Sequence, residues 1–478
     1  MALIHWLLLA VYFGLIVLTI VKILLDNRQP SKTMAWLLVL MFLPIIGLLL
    51  YYFFGQNTRK ERMISNNSLD QLSKRSMLEF LEQKSPPYRE EYKTLVSLFQ
   101  NQNGALPFKD NQVEIYTTGY EFFLSLLAEI GRAEQSIHIE SFIFEDDPLG
   151  NLVADALIDK ARQGVEVRVI YDDVGCWKVH NRFFERMKDE GIEVHAFMPV
   201  KFPAFTSKMN YRDHRKLIVI DGETAFIGGM NIALRYVKGD GKRPWRDTHL
   251  RLKGRAVYGV QREFLVAWYF CDGTLITNRR YYPDVTPETL SQVDAEALAQ
   301  VVTSSPIAPW PDIEQGYVRI LLQAKHYVYM ETPYFLPTEP ILFAMRVAAL
   351  AGVDVRLMVP SVGDSKIVDW ASRSFTKQAV EAGVKVLLYK AGFNHTKMLI
   401  SDDYISTCGS TNLDFRSFEH DFESNIFFFG TEMAKRFRKV FEADEQHCDI
   451  IGKADDAPRQ SLLSRLWESL NRLLSPLL

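Results

Sequence analysis

Two segments, far apart in the sequence, contain the same series of potentially reactive side chains. Each begins with a histidine, has a lysine two positions later and an aspartate seven positions after the histidine, and ends in Gly-(Gly/Ser)-x-Asn. Two complete copies in one register indicate a repeated functional unit rather than a chance match. The first copy comprises His214, Lys216, Asp221, Gly229 and Asn231, and the second comprises His395, Lys397, Asp402, Ser410 and Asn412.

These residue types suit the transfer of a phosphoryl group. An imidazole can act as a nucleophile or a proton carrier near neutral pH. Ammonium and amide N–H groups stabilise the negative charge of a phosphoryl transition state. A histidine and a lysine two residues apart on a strand point to the same face, so each pair can reach one ligand. Two half-sites facing each other would surround one phosphate, with Gly229, Asn231, Ser410 and Asn412 as candidate phosphate-binding or supporting residues.

We expect neither a metal ion nor a cofactor, because this donor set already neutralises a phosphate and the sequence has no carboxylate-rich metal motif. The four cysteines are scattered and show no zinc or disulfide spacing. The alternative is that each histidine is a buried structural residue beside a surface lysine. That interpretation is reasonable for one copy, but it would have to hold for both.

Four carboxylates are candidates for supporting the reactive groups. Asp221 and Asp402 belong to the motifs and are counted with the candidate catalytic residues. They follow the histidine by an odd number of positions, so on an unbroken strand they face away from it. We therefore expect them to orient the site rather than touch the phosphate. A carboxylate behind each imidazole would fix its tautomer; Asp247 is the candidate in the first half and Glu423 in the second, with surface ion pairs as the alternative.

The motifs are each preceded by the same series of secondary-structure signals. Apolar runs predict buried strands, separated by stretches with helical periodicity, an alternation typical of α/β units. We predict two α/β lobes related by a pseudo-twofold axis, with mixed sheets flanked by helices, at residues 106–295 and 296–455. The signals are strands at 136–144 and 164–170 around a helix at 153–162, and strands at 327–335 and 352–359 around a helix at 341–350.

Two apolar runs near the start of the chain are long enough to cross a membrane. Residues 2–25 contain only His5 and Lys22 as groups able to carry charge near neutral pH, and residues 34–54 contain none. A bilayer core about 30 Å thick requires roughly 20 apolar residues in a helix, so we predict a membrane hairpin over residues 1–54. A cleaved signal peptide would need a basic start and a small-residue cleavage site, which the run lacks. Basic residues are more numerous after the second run than between the runs, which predicts a cytoplasmic body.

The remaining segments carry little chemical signal. Residues 55–105 are polar and partly helical, and they are expected to form a cytoplasmic linker. In residues 456–478, leucines at helical spacing predict an amphipathic helix that lies on the membrane or docks onto the protein body. The net charge of −3, without a basic cluster, argues against nucleic acid as a partner.

The motif pair resembles the phospholipase D superfamily. The two apolar runs at the start narrow the resemblance to bacterial cardiolipin synthases of the phospholipase D type, and it covers nearly the whole chain. It includes the segment from Glu331 to Pro337 and the Ser-Pro-Leu-Leu ending. The resemblance implies condensation of two phosphatidylglycerol molecules to cardiolipin with release of glycerol. It also implies a multi-pass protein of the bacterial cell membrane whose partners are phosphatidylglycerol and membrane lipids.

The chemistry and the resemblance together predict two steps through a phosphohistidine. His214 attacks the first lipid, and His395, in its protonated form, protonates the departing glycerol and then takes a proton from the acceptor hydroxyl.

Three other functions remain open. A phospholipase D-type hydrolase or a transphosphatidylase for other phospholipids would use the same residues, and the superfamily also includes nucleases. A non-enzymatic membrane scaffold is the third, although both motif copies are complete. The sequence does not predict the oligomeric state.

Overall fold

The computed structural model describes residues 2–26, 30–55, 88–200, 210–241, 243–283 and 297–451, together with residues 467, 468, 471, 472 and 475. These residues fall in two compact units. One unit contains the described residues up to 55 with residues 200, 210 and 211. The other contains the described residues 88–199 and those from 212 onward.

The N-terminal unit contains three apolar helices, α1 (Ala2–Leu25), α2 (Pro30–Phe42) and α3 (Pro44–Phe54). Helix α1 has 24 residues and is about 36 Å long at 1.5 Å per residue, enough to cross a bilayer core. It is the one helix among the described residues that is long and apolar enough to do so. The expected second helix over residues 34–54 is not continuous. Pro44 has no N–H to extend the helix, and the backbone leaves helical geometry at Leu43.

The end of the expected linker is part of the folded core. Helix α4 (Glu90–Asn103) buries Tyr92, Leu95, Val96 and Phe99 among residues of the second half of the chain. The spacing of these four residues places them on one face of a helix. Residues 56–87, the rest of the expected linker, lie outside the described residues.

The first half of the second unit is built on a seven-stranded mixed sheet with the order β1-β9-β7-β6-β2-β3-β4. Strands β2, β3 and β4 are parallel, and the others pair antiparallel. The strands are β1 (Asn111–Tyr116), β2 (Ser136–Ser141), β3 (Glu166–Asp172), β4 (Glu193–Phe197), β5 (Arg212–Asp213), β6 (Lys216–Ile220), β7 (Thr224–Gly228), β8 (Trp245–Arg246) and β9 (His249–Gly254), and the helices are α5 (Gly119–Arg132), α6 (Pro148–Arg162), α7 (Asn181–Asp189), α8 (Arg235–Lys238) and α9 (Val257–Asp272).

The second half repeats this topology. Its main sheet has the order β10-β19-β17-β16-β11-β13-β14-β20, in which the first seven strands match the first sheet one for one and β20 is an addition. The strands are β10 (Leu298–Ser304), β11 (Tyr327–Glu331), β12 (Phe335–Leu336), β13 (Asp354–Pro360), β14 (Lys385–Tyr389), β15 (Phe393–Asn394), β16 (Met398–Ser401), β17 (Ile405–Gly409), β18 (Leu413–Asp414), β19 (Asp421–Phe429) and β20 (Cys448–Ile451), and the helices are α10 (Asp312–Gln323), α11 (Glu339–Leu350), α12 (Lys366–Glu381), α13 (Phe415–Glu419) and α14 (Thr431–Glu445).

The shared strand order confirms the predicted repeat of mixed α/β units. In each half the histidine-lysine pair lies at the start of a central strand, β6 or β16, and the strand residues are fully buried. Because β6 pairs with β2 and β16 pairs with β11, both motifs lie in the middle of a sheet. A central strand holds its side chains more rigidly than a loop would.

Most of the expected C-terminal helix, residues 456–478, lies outside the described residues. Where the tail is described, Trp467 packs edge-on against Trp370 of α12, with the ring centroids 5.8 Å apart. This contact fits the docking alternative at that point of the tail.

Candidate active site

Both motif histidines line one cavity. The cavity has a volume of about 370 Å³ and its wall is formed by both halves of the chain. His214 and Asn231 come from the first half, and His395 and Asn412 come from the second. A space of this size accommodates a phosphodiester headgroup and falls within the range of ligand sites. The structure therefore brings together the histidines and asparagines of the two motif copies.

Two short parallel strand pairs between the halves position the histidines. Strand β5 pairs with β19, and β8 pairs with β15. Each histidine follows one of these strands directly. The backbone N–H of His214 donates to the carbonyl of Phe422 at 3.0 Å, and that of His395 donates to the carbonyl of Arg246 at 2.7 Å. The backbone of each histidine is thus held by the opposite half.

The supporting carboxylates are paired across the halves as well. His214 Nδ1 lies 2.9 Å from Glu423 Oε1, and His395 Nδ1 lies 2.6 Å from Asp247 Oδ2. The sequence-based expectation, in which each carboxylate serves the histidine of its own half, was wrong. The strand exchange explains the difference, because β8 and β19, which carry or precede these carboxylates, lie beside the opposite histidine.

The glycine-rich segments hold these carboxylates in place. At Gly229 a Cβ atom would lie 2.1 Å from Asp247 Oδ1, so a side chain there would displace the carboxylate. The equivalent residue of the second half, Ser410, donates its hydroxyl to Glu423. Gly229 and Ser410 therefore support the carboxylates rather than line the cavity.

The two motif lysines are buried, and each donates to the backbone carbonyl of its own histidine. Lys397 Nζ also lies 2.8 Å from His395 Nδ1. Burial lowers the pKa of Lys216 to about 7 and that of Lys397 to about 8. Desolvation of this kind disfavours a charged ammonium, and an anionic ligand would favour it again. The two lysines are thus suited to binding an anionic ligand.

The pKa values of both imidazoles are shifted downward by their surroundings. Burial, followed by the charges of Lys216 and Lys397, lowers the pKa of His214 well below its ordinary value. Burial and Lys397 lower the pKa of His395 to about 4. A phosphate anion would offset the lysine charges and raise both pKa values.

The two motif asparagines lie in the cavity wall but differ in their partners. Asn231 accepts the backbone N–H of Ile143 at 3.1 Å and donates to the hydroxyl of Tyr236 at 2.7 Å. The backbone N–H of Asn412 donates to the hydroxyl of Ser417 at 3.3 Å. Its buried side-chain oxygen has no hydrogen-bond partner among the described residues. The Asn412 side chain also bonds to Asp414, so only its side-chain oxygen is left to accept a hydrogen bond from a ligand.

Comparison with known proteins agrees with this geometry. A family model described as cardiolipin synthase, PLD-like domain, matches residues 126–243 and 317–445, and a phospholipase D-nuclease N-terminal model matches residues 14–56. The major cardiolipin synthase ClsA of Bacillus subtilis is 36% identical over 98% of this chain and 99% of its own length. Cardiolipin synthase 2 of Bacillus cereus is 38% identical over 95% of this chain and 88% of its own.

The chain belongs to the cardiolipin synthase family of the phospholipase D superfamily. A solved structure shares the fold of this family member. The phosphatidylserine synthase of Haemophilus influenzae Rd KW20 superimposes with a TM-score of 0.63 at 14% identity, covering 81% of this chain and all of that one. This likeness concerns the fold alone.

The motif aspartates of this cardiolipin synthase family member do not lie at the cavity. Asp221 follows the far end of β6 and accepts the backbone N–H groups of residues 134, 135 and 136 at 2.7 to 2.9 Å. Asp402 follows β16 and accepts those of residues 325, 326 and 327 at 2.7 to 2.8 Å. Their position agrees with the expectation that they face away from the histidines, and a catalytic role for them stays a prediction. The intervening strand separates them from the histidines, and they fix the start of β2 or β11.

Two arginines of the cavity wall were missed in the sequence. Arg235 and Arg416 each follow the motif asparagine by four positions, so the repeat extends further than the pattern used to find it. Aromatic rings were also missed, because they have no equivalent spacing in the two halves. Four rings lie with centroids 5.6 to 6.3 Å from His395, namely those of Tyr236, Trp245, Tyr334 and Phe393.

Within the described residues, no group of three or more histidine, cysteine, aspartate or glutamate side chains is arranged to hold a metal ion. The expectation of a reaction without metal or cofactor remains a prediction.

Proposed function

We propose that this chain is a cardiolipin synthase that transfers a phosphatidyl group from one phosphatidylglycerol to another, giving cardiolipin and glycerol. The observation that carries this proposal is the single cavity in which His214 and His395 meet, each bonded to a carboxylate from the opposite half. Relatives named cardiolipin synthase match nearly the whole chain, which favours lipid over nucleic acid as the substrate.

In the first step, His214 Nε2 attacks the phosphorus of the donor lipid. Its Nδ1 faces Glu423, so a proton on Nδ1 leaves the Nε2 lone pair free for attack. A P–N bond forms and the P–O bond to glycerol breaks. Lys216 and Lys397 stabilise the negative charge that develops on the phosphoryl oxygens. Proton donation from His395 to the departing oxygen contributes about 10² to 10⁴ in rate.

In the second step, His395 takes a proton from the hydroxyl of the acceptor lipid. That oxygen attacks the phosphohistidine, the P–N bond breaks, and cardiolipin is released. Each phosphodiester bond broken is replaced by another, so the overall reaction is close to balanced and is reversible. Glycerol can therefore re-enter at this step and regenerate phosphatidylglycerol.

The two carboxylates support this division of labour. Burial raises the pKa of Asp247, but the neighbouring Lys397 and His395 outweigh burial and hold it below its ordinary value. An ionised Asp247 stabilises an imidazolium at His395, as a proton carrier needs. Burial raises the pKa of Glu423 to about 7. A less strongly ionised partner suits His214, which has to start the reaction neutral.

The chain acts at the bacterial cell membrane in this proposal. Helix α1 is long enough to span the bilayer, and α2 and α3 supply a further apolar segment. The basic residues that follow this segment favour a multi-pass arrangement with the catalytic body on the cytoplasmic side. Both lipid substrates are then confined to one surface, which favours lipid-to-lipid transfer over hydrolysis.

The test is product analysis with the purified full-length chain and phosphatidylglycerol alone, in detergent micelles containing a chelator and no nucleotide. We expect cardiolipin and glycerol in equal amounts. His214→Ala should lower the rate by more than about 10³-fold. His180→Ala, at an exposed histidine outside the cavity wall, serves as the control and should retain activity.

Phosphatidic acid as the main product would instead assign a hydrolase. Dependence on an added alcohol would assign a transphosphatidylase for other acceptors. Either result would overturn the synthase proposal while leaving the phosphohistidine chemistry intact. Loss of activity with chelator would contradict the metal-independent mechanism.

A further inference from the structure

An arginine from each half lines the catalytic cavity at equivalent positions of the repeat. Arg235 follows Asn231 by four residues, and Arg416 follows Asn412 by four residues. The reaction steps proposed for the histidines and lysines use neither guanidinium. An arginine presents five N–H donors in a planar fork that fits phosphate oxygens. The cavity thus offers more anion-binding groups than a single phosphate requires.

The proposed function supplies a second phosphate, and this inference rests on that function. An acceptor phosphatidylglycerol brings its own phosphodiester, which is joined to the attacking hydroxyl through a single glycerol bridge. That second anion has to lie close to the reacting phosphorus. Glycerol or water as the acceptor brings no such charge. A cation near the acceptor would therefore distinguish condensation from exchange with glycerol and from hydrolysis.

The surroundings of Arg235 place it on the side of the acceptor. Its guanidinium lies 5.9 Å from the centre of the Trp245 ring, and that ring lies 5.6 Å from the imidazole of His395. The next residue, Tyr236, also packs against His395, with ring centroids 6.1 Å apart. His395 is the residue that takes the acceptor's proton. Arg235 is thus a neighbour of the attacking hydroxyl.

Arg416 lies instead on the side of the donor. Its charge is one of those that lower the pKa of His214, the proposed nucleophile. Its Nε donates to Asp421 Oδ2 at 3.1 Å, and the Asp421 side chain is 6% exposed. Asp421 pairs with Arg212 in the β5–β19 pair, two residues before His214, so this contact holds Arg416 beside the nucleophile.

Arg235 is able to exchange its present partner for a phosphate. Its ion pair with Glu145 is 3.4 Å long, and the two side chains are 31% and 37% exposed. Partly exposed pairs of this kind contribute little to stability, so an oxygen of the monoanionic phosphodiester can replace the carboxylate. By contrast, Arg215 and Arg246 are buried in ion pairs with carboxylates at 2.6 to 2.9 Å.

We propose that Arg235 binds the phosphate of the acceptor lipid and thereby selects phosphatidylglycerol over glycerol or water as the second substrate. Arg235 is then the residue that makes the enzyme a synthase of a bis-phosphate lipid rather than an exchanger of headgroups.

The experiment compares two reactions of one preparation of the full chain. Condensation is followed as cardiolipin formed from phosphatidylglycerol, and exchange is followed as labelled glycerol incorporated into phosphatidylglycerol. Exchange uses the donor site and an acceptor without phosphate. For Arg235→Gln we expect the ratio of condensation to exchange to fall by about 10- to 100-fold, the range for a hydrogen bond to a charged group. Arg235→Lys should recover part of this ratio.

The matched control is Arg346→Gln. Arg346 is 37% exposed, pairs with one glutamate at 3.0 Å and does not line the cavity, so the ratio should stay that of the unaltered chain. Arg416→Gln should slow both reactions together. The proposal would be overturned if the ratio of condensation to exchange were unchanged in Arg235→Gln. It would also be overturned if this ratio fell as much in Arg416→Gln as in Arg235→Gln. If the unaltered chain makes no cardiolipin but still exchanges glycerol, the proposed function itself fails.

Discussion

A histidine that attacks phosphorus needs its Nε2 lone pair free, whereas a histidine that carries protons needs a partner that stabilises its charged form. In this chain a glutamate serves the first histidine and an aspartate, whose side chain is shorter, serves the second. Glu423 reaches His214 from β19, and Asp247 reaches His395 from the segment between β8 and β9. The longer side chain is accompanied by Ser410, and the shorter one by Gly229.

Replacing the two carboxylates should impair different steps. Glu423→Gln should slow attack by His214, because Nδ1 loses the carboxylate that holds its proton. Asp247→Asn should slow proton transfer by His395, because the imidazolium loses its charged partner. We expect each rate to fall by about 10² to 10⁴-fold. The measurement is release of p-nitrophenol from a phosphatidyl-p-nitrophenol donor in the first turnover. This leaving group departs without protonation, so only attack by His214 limits its release.

We expect the first-turnover burst to be slow in Glu423→Gln and much less affected in Asp247→Asn, whereas phosphatidylglycerol turnover should fall in both. Glu432→Gln, at a 70% exposed glutamate of α14, is the control. A slow burst in Asp247→Asn with a normal burst in Glu423→Gln would show that each carboxylate serves the histidine of its own half, contrary to the crossed pairing.

At the scale of elements, the tight turns after β6 and β16 decide where the next strands begin. Asp221 and Asp402 have φ values of 54° and 52°, in the left-handed region. Aspartate tolerates this region better than most residues with a side chain. From there each carboxylate accepts three consecutive backbone N–H groups at the start of the neighbouring central strand.

Asp221→Ala and Asp402→Ala should each lower the free energy of unfolding by about 1–3 kcal/mol, because three donors lose their acceptor. The asparagine variants should lose less, since they keep one acceptor and tolerate the left-handed backbone. The measurement is thermal unfolding in detergent together with activity per folded molecule, which should be retained.

Asp110→Ala is the control for the effect of backbone strain alone. Asp110 has φ 61° and its side chain makes no hydrogen bond within the part of the chain that the structure describes. A loss of activity without a loss of stability would return the aspartates to the catalytic machinery.

The sequence predicted the elements whose signals are local. The strand-helix-strand repeat and the two motif strands follow from hydrophobic periodicity, and the structure confirms them. Two differences had a local signal. Pro44 lies inside the second apolar run, and the helical part of the expected linker carries Tyr92, Leu95 and Phe99 on one face, which indicates burial against the core. The crossed pairing of histidines and carboxylates had no local signal in the sequence. Strands β5, β8 and β15 are two residues long and are defined only by their partners in the opposite half.

At the scale of the whole molecule, the crossed strands make the catalytic unit indivisible. The backbone N–H and the Nδ1 of each histidine are held by the opposite half. Helix α4 precedes the first half in sequence but packs in the core of the second. Neither half alone can therefore assemble a histidine with its carboxylate.

The same interlocking predicts that one chain supplies a complete site. We expect that mixing the full-length His214→Ala and His395→Ala chains, or producing them together in one cell, restores no cardiolipin synthesis. Each variant lacks one of the two imidazoles of its own cavity. The strand pairs that would let a second chain donate the missing imidazole are already formed within the chain.

Recovery of a substantial part of the activity would show that two chains exchange halves, and the site would then be shared between them. Because the pairing β5–β19 and β8–β15 would be equally satisfied in such a swapped dimer, the decisive comparison is between chains mixed after folding and chains folded together. Activity absent in both cases fits a site built within one chain.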